Sequence, residues 1–434
     1  MVFCHIRIKG WIISVENSVE KNSFPKFAKT QKKSKRMKKY TKIFALITGI
    51  ILVSNVIAQK DTDSSYRFKT IADVPTSSVK DQHRSGTCWS FAAASFLETE
   101  LIRMGYPEID ISEMFFVRDA YIDKAKNYVQ MHGAVNFSPG GQAHDVMYTL
   151  NEKGMLTEQA YNGLEYGLDN HNHSSLNALL KAQVKVIAKN KAGKINPSWL
   201  NVIKSTLDEY LGHVPENFEY NGQSFTPKSF AENFELNTDD YVEITSYTHH
   251  DFYKPFRLEV PDNWTYSDYY NVPLEDLMAI MDNALENGYS VCWDGDVSEK
   301  GFSHSNGVAI VPVVKASAFE GTERARWEEL TEKEKLEKAY NFEAPVKEKE
   351  ITQEDRQQAF EAHQATDDHL MHLTGIVHDQ NGTRYYVTKN SWDDDSNDSG
   401  GYLNMSGSFV RRNTIAIMVH KDAIPKGIRK KLDL

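Results

Sequence analysis

The chain has three cysteines, Cys4, Cys88 and Cys292, and Cys88 sits where a thiol can do chemistry. Residues 81–91 read Asp-Gln-His-Arg-Ser-Gly-Thr-Cys-Trp-Ser-Phe. Gly86 punctuates a loop, and Trp89, Ala92, Ala93, Phe96 and Leu97 then fall on one face of a helix. The periodicity predicts a helix from Cys88 to about Met104, stopped by Gly105 with Pro107 just beyond. At a helix N-terminus a thiol meets unpaired N–H groups and the positive end of the macrodipole, and both favour the nucleophilic thiolate. Alone, Cys88 is as readily a packed thiol as a nucleophile. Gln82, six residues upstream, shifts the balance. Its side-chain amide, beside the Cys88 N–H, would supply the donors that an acyl-transfer oxyanion requires. A Cys88–Cys292 disulfide is conceivable, but the surroundings of Cys88 argue against it. Cys292 opens a predicted strand and reads as a small buried hydrophobe.

A nucleophilic thiol needs a base and a group to orient that base. Residues 368–377, Asp-His-Leu-Met-His-Leu-Thr-Gly-Ile-Val, form an apolar strand-like stretch holding His369 and His372. Residues 384–392 read as a second strand running into Asn390, and an Asn-Gly step at Asn381 predicts a hairpin between the two. Strand alternation puts His369 on the face of Met371 and Leu373 and His372 on the other, so one histidine at most faces the thiol. A single histidine here is more often a hydrogen-bonded core or surface imidazole. Gln82, Cys88, His369 and Asn390 together are much harder to obtain by chance.

These residues resemble the papain-like cysteine peptidases, whose cysteine signature is a known template. Gln82 and Cys88 keep that family's spacing. His369 matches its catalytic histidine, preceded by Asp368 and followed by Gly375 six positions on. Lys389-Asn390-Ser391-Trp392 matches the orienting asparagine and the tryptophan that shields it, and Gly400–Leu403 matches the following strand. Gly140 and Gly141, after Ser138-Pro139, resemble the glycine pair whose backbone binds extended substrate, and Asp368 and Trp392 join them as expected substrate-binding residues. The template places the histidine roughly 130–150 residues after the cysteine. Here His369 lies much further from Cys88. That excess, with Gly86–Trp89, resembles the bleomycin hydrolase/aminopeptidase C branch. The strings at 210–215, 225–230, 248–250, 260–264, 270–274 and 291–297 resemble it too.

The elements that must position these residues follow. The resemblance implies an α+β, papain-like two-lobed fold, a helical lobe plus a β-rich lobe, with large branch-specific insertions around 166–290 and 316–366. Local patterns predict helices at 88–104 and 142–153 and strands at 290–297, 306–315, 369–378 and 383–390. The densely charged segment Glu320–Ala362, with a helix-forming stretch from Trp327 to Ala339, reads as a solvated insertion rather than a subunit contact.

Composition bounds the rest. The 434 residues carry 60 Asp+Glu against 50 Lys+Arg, a formal charge of -10. Such a chain is ordinary globular material and a poor non-specific nucleic-acid binder. Three cysteines exclude a disulfide scaffold and a Cys₄ or Cys₂His₂ zinc module. The first 58 residues hold 12 Lys+Arg and two acids, Glu16 and Glu20, which leaves the remainder near -20. Lys38, Lys39 and Lys42, the apolar run Ile43–Val53, and Val56-Ile57-Ala58 before Gln59 make a secretory signal pattern over 37–58, too short to span a membrane. Translation is then expected to begin at Met37, with residues 1–36 and Cys4 outside the protein, and 59–434 as the exported peptidase domain.

The resemblance implies peptide-bond hydrolysis through Cys88, His369, Asn390 and Gln82, peptide substrates, a homohexamer, and no metal or organic cofactor. In that branch the C-terminal tail enters the cleft and limits cleavage to free N-termini. This chain ends Ile424–Leu434 without the usual apolar ending, so aminopeptidase is the first expectation and an open-cleft endopeptidase the second. Two readings from other classes are an inactive peptide-binding relative and a transglutaminase-type acyltransferase. The complete Gln-Cys-His-Asn set disfavours the former, and Asn390 in place of an aspartate disfavours the latter.

Overall fold

A computed structural model describes residues 65–165, 167–190 and 193–434. The signal pattern at 37–58, the expected start at Met37 and Cys4 lie outside the described residues.

The helix carrying Cys88 runs Cys88–Arg103, with Met104 as its C-cap and Gly105 at φ +91°, as the periodicity predicts. Its apolar face, Trp89, Ala92, Ala93, Phe96, Leu97 and Leu101, is buried in one core with Glu113–Gln130, Ala143–Lys153, Ser174–Ala188 and Trp199–Leu211. The expected helix at 142–153 is Ala143–Lys153. A capping box starts it: Asp145 accepts the Gln142 N–H at 3.0 Å.

The second layer is an 11-stranded sheet, and the hairpin expected from the Asn-Gly step lies at its centre. His369–His378 and Arg384–Lys389 pair antiparallel, the latter pairs Tyr402–Ser406, and the Asp379 N–H closes the turn on the Thr383 carbonyl at 3.0 Å. The other edge of the His369 strand is shared: Val291–Gly295 pairs its first half and Lys69–Asp73 its second. Alternation holds over the first half of the strand, up to a register shift between Leu373 and Gly375. Leu370 packs with the helical core, while Met371 and Leu373 enter the sheet core formed with the helix Leu274–Glu286. Cys292 is 1% exposed and faces the helical core as an unpaired thiol, the packing role expected of it.

Two expectations are modified. The strand expected at 306–315 is only Val308–Ala309. Beyond it the Val311 N–H is taken by the Glu348 carboxylate at 2.8 Å, and Pro312 has no N–H for a ladder. The charged segment forms three helices, Gly321–Glu328, Glu332–Ala339 and Gln353–Glu361, and the first two close a small core of Phe319, Trp327 and Ala339. No helix among the described residues is long and apolar enough to cross a membrane.

Candidate active site

Cys88 is the first residue of its helix, and no side chain caps the helix at Thr87. The first-turn N–H groups therefore have no side-chain acceptor, the arrangement that favours an anion. Cys88 is half-buried and lines a cleft of about 340 Å³ together with Gln82, Gly140, Gly141, Asp368 and His369.

The two paired strands place the base. His372 pairs with Lys389, and extending that register sets residue 369 opposite 392. The His369 and Trp392 rings lie 5.0 Å apart, and His369 Nε2 meets Asn390 Oδ1 at 2.8 Å. Both partners are buried, His369 to 4% and Asn390 to 2% exposure. The Asn390 amide also approaches His304 Nδ1 at 3.4 Å, and Trp392 packs against His304 as well. With Nε2 bonded to Asn390, the Nδ1 side of His369 is the side left to exchange a proton. Trp392 is not among the residues that line the cleft. It packs on the His369 ring of the His369–Asn390 pair.

His372 takes the role that alternation suggests. It faces the cysteine helix at Ser95, Oγ to Nδ1 2.9 Å, seven residues along from Cys88. That is about 10 Å of helix rise. Lys389 donates to the same Ser95 Oγ at 2.8 Å and to the Ser77 carbonyl at 2.8 Å. His372 thus knits helix to sheet beneath the site.

Gln82 is positioned by a residue that sequence reasoning quoted but gave no role. Ser391 Oγ donates to Gln82 Oε1 at 2.7 Å, and the Gln82 N–H donates to the Ser391 carbonyl at 2.9 Å. With Oε1 occupied, the Gln82 NH₂ is the end available to the cleft. Lys80, two residues earlier, anchors this segment to the helical lobe through Glu98 at 2.8 Å, Asp110 at 2.5 Å and Glu113 at 2.8 Å.

Burial opposes the expected thiolate. It pushes the Cys88 thiol up to about 12, with Asp367, Asp294 and Asp262 adding to the push and a hydrogen bond from the Leu370 backbone pulling down. Burial likewise pulls His369 down to about 4, although the Asn390 hydrogen bond raises it. Low-dielectric surroundings disfavour each isolated charge. Burial acts on each group singly, and opposite charges on Cys88 and His369 offset it in both. The open face of Cys88 and the uncapped helix start stabilise the anion.

The glycine pair lines the cleft at a crowded point. A Cβ on Gly140 would collide with the Asp262 carboxylate, and one on Gly141 would lie 2.6 Å from Asp145 Oδ2 and 2.9 Å from the Trp89 ring. Lys124 donates to the Gly140 carbonyl and to the Ser138 carbonyl at 3.3 Å, which fixes the orientation of this stretch. Asp368 is exposed at the rim and accepts from Thr366 Oγ1 at 2.7 Å.

Residues 331–434 match the Peptidase C1-like family. Aminopeptidase G of Lactobacillus delbrueckii subsp. lactis is 22% identical over 396 residues, covering 82% of this chain and 83% of its own length. Aminopeptidase E of Lactobacillus helveticus is 23% identical over 396 residues, covering 80% and 82%. The crystal structure of PepW from Lactobacillus rhamnosis HN001 superposes with a TM-score of 0.62 at 15% identity, over 93% of this chain and 95% of that one.

Proposed function

We propose that the chain is a papain-like cysteine peptidase, an aminopeptidase that hydrolyses peptide bonds through Cys88, His369, Asn390 and Gln82. The observation that carries the reading is the His369 Nε2–Asn390 Oδ1 bond of 2.8 Å. It leaves the opposite edge of the imidazole to serve Cys88 at the head of its helix, in the same cleft.

In the proposed reaction the Cys88 sulfur attacks the peptide carbonyl while its proton passes to His369. The resulting oxyanion accepts from the Cys88 N–H and the Gln82 amide. His369 returns the proton to the departing amine as the C–N bond breaks, and a water activated by His369 then hydrolyses the thioester. Asn390, neutral and buried, keeps the ring in register throughout. A neutral orienter suffices, because the imidazolium formed during attack is balanced by the negative charge developing on the substrate. Aminopeptidase specificity is supported by the names of both curated relatives.

A free-amine peptide is expected to be cut much faster than its N-acetylated twin. Comparable rates on the two would sink the exopeptidase reading. An epoxide-type thiol inhibitor is expected to label Cys88 in the folded protein, and Cys88→Ala is expected to lose about 10⁴-fold or more in kcat/KM. A folded protein that resists labelling at Cys88 would instead favour an inactive peptide-binding relative.

A further inference from the structure

One wall of the cleft is acidic in a way that peptide hydrolysis does not use. Asp262 and Asp367 line the same cavity as Cys88 and His369. Asp262 Oδ1 accepts from Ser138 Oγ at 3.0 Å and from Asn136 Nδ2 at 3.2 Å, while its carboxylate presses on Gly140. Asp367 accepts from Gln142 Nε2 at 3.0 Å and from the Asp262 backbone N–H. Against Asp367 lies Asp294, 3% exposed; ionised, its carboxylate oxygens find no donor, and protonated it donates to the Asp367 carboxylate. Burial, and then Asp367, holds the Asp294 carboxyl well above the usual carboxylate range. Burial, and then Asp262, raises Asp367. Lys124 is buried on this wall, but its ammonium donates to the carbonyls of Gly140 and Ser138. Lys124 offsets Asp262 and Asp367 in part and a proton is held between Asp367 and Asp294, and a second cation at the open side of the wall would complete the set. Asp262 and Asp367 line the cleft that holds the nucleophile, so a cation there lies within the site.

We propose that Asp262 and Asp367, backed by Asp294, bind the free N-terminal ammonium of the substrate and so place the first peptide bond at Cys88. The assignment rests on the aminopeptidase reading and names the groups that would give it specificity. An ammonium brings one positive charge and three N–H donors, which suits two converging carboxylates. Acetylation removes the charge and leaves one donor. Residues 426–434 do not supply the group, because Ile428, Leu432 and Leu434 pack on the sheet core.

The test compares a free-amine aminoacyl-coumarylamide with its N-acetyl twin on the wild type, Asp262→Asn and Asp367→Asn. The wild type is expected to prefer the free amine. Each variant is expected to lose about 30-fold or more in kcat/KM on the free-amine substrate, the scale of a charged hydrogen bond. Its rate on the acetylated twin is expected to stay within about threefold, and Cys88 is expected to label with the epoxide at the wild-type rate. Parallel losses on both substrates, or an undiminished free-amine preference in both variants, overturn the assignment while leaving the aminopeptidase reading intact. A wild type that cuts both substrates equally overturns the aminopeptidase reading and the assignment with it. If Asp367→Asn fails to fold, Asp262→Asn carries the test, since its amide keeps the shape and the Ser138 contact.

Discussion

At the scale of single residues, the site depends on side chains that hold other side chains. Ser391 is the clearest case: it ties down the Gln82 carbonyl oxygen and thereby aims the amide. Ser391→Ala is expected to lower kcat by about tenfold, with KM little changed, because one oriented donor to the oxyanion is loosened and ground-state binding is not. A raised KM with kcat unchanged, measured by steady-state kinetics, would assign Ser391 to substrate binding. Gln82, Cys88, His369 and Asn390 are legible in the sequence because their chemistry requires particular residue types at helix and strand ends. Ser391, Asp262 and Asp367 are not legible in the same way. The Val260–Trp264 string and the Asp367-Asp368 doublet stand out, yet nothing in one dimension says that the two aspartates, 105 positions apart, share a wall. Helix position is visible in sequence, whereas the burial around the thiol and the imidazole is not.

At the scale of elements, the turn into Ala143–Lys153 and the start of the Cys88 helix form one packed unit. Asp145 receives the Gln142 N–H at 3.0 Å and the Trp264 indole N–H at 2.8 Å, and the Trp89 indole N–H donates to the Pro139 carbonyl at 2.9 Å. Gly141 sits between Asp145 and the Trp89 ring with no room for a methyl group. Gly141→Ala is expected to cost about 1–3 kcal/mol, the range for overpacking a filled site. It should also slow epoxide labelling of Cys88, because relief of the clash pushes Trp89 and the residue before it. Gly427→Ala, where a Cβ meets nothing within 4 Å, serves as the control. Thermal melting and labelling rate check both, and an unshifted melt for Gly141→Ala would refute the packing argument. The helix and the hairpin could be read from periodicity and the Asn-Gly step. The truncated strand at 308–309 could not, since beyond it the chain leaves the sheet to pair with the distant stretch 347–349, where Val313 N–H donates to the Lys347 carbonyl and Lys349 N–H to the Val311 carbonyl, both at 2.8 Å.

At the scale of the whole molecule, buried histidines couple stability to pH. His173 is 1% exposed, neither ring nitrogen has a partner, and the His171 ring lies 5.5 Å away. Burial, and then the neighbouring His171, pulls His173 down to about 3, and burial pulls His171 down to about 4. A folded-state value below the unfolded one, near 6.5, means that the unfolded chain binds more protons in between. Stability is then complete above about pH 6.5 and is lost as pH falls towards 3, by at most about 1.4 kcal/mol per pH unit for each such group. His173→Phe is expected to flatten the fall in Tm between pH 6.5 and 4, and an unchanged slope would show that His173 does not titrate with unfolding. The two-layer architecture has a kinetic side as well. The helical core gathers segments close in sequence, but the His369 strand must find the Cys88 helix across 280 intervening positions. It must also accept Lys69–Asp73 on its far edge. Closing loops of that length is entropically slow, and contacts between distant segments form late. During refolding, helical ellipticity should therefore return before Cys88 regains its epoxide labelling, so the chain passes through its most aggregation-prone stages with the site still unassembled.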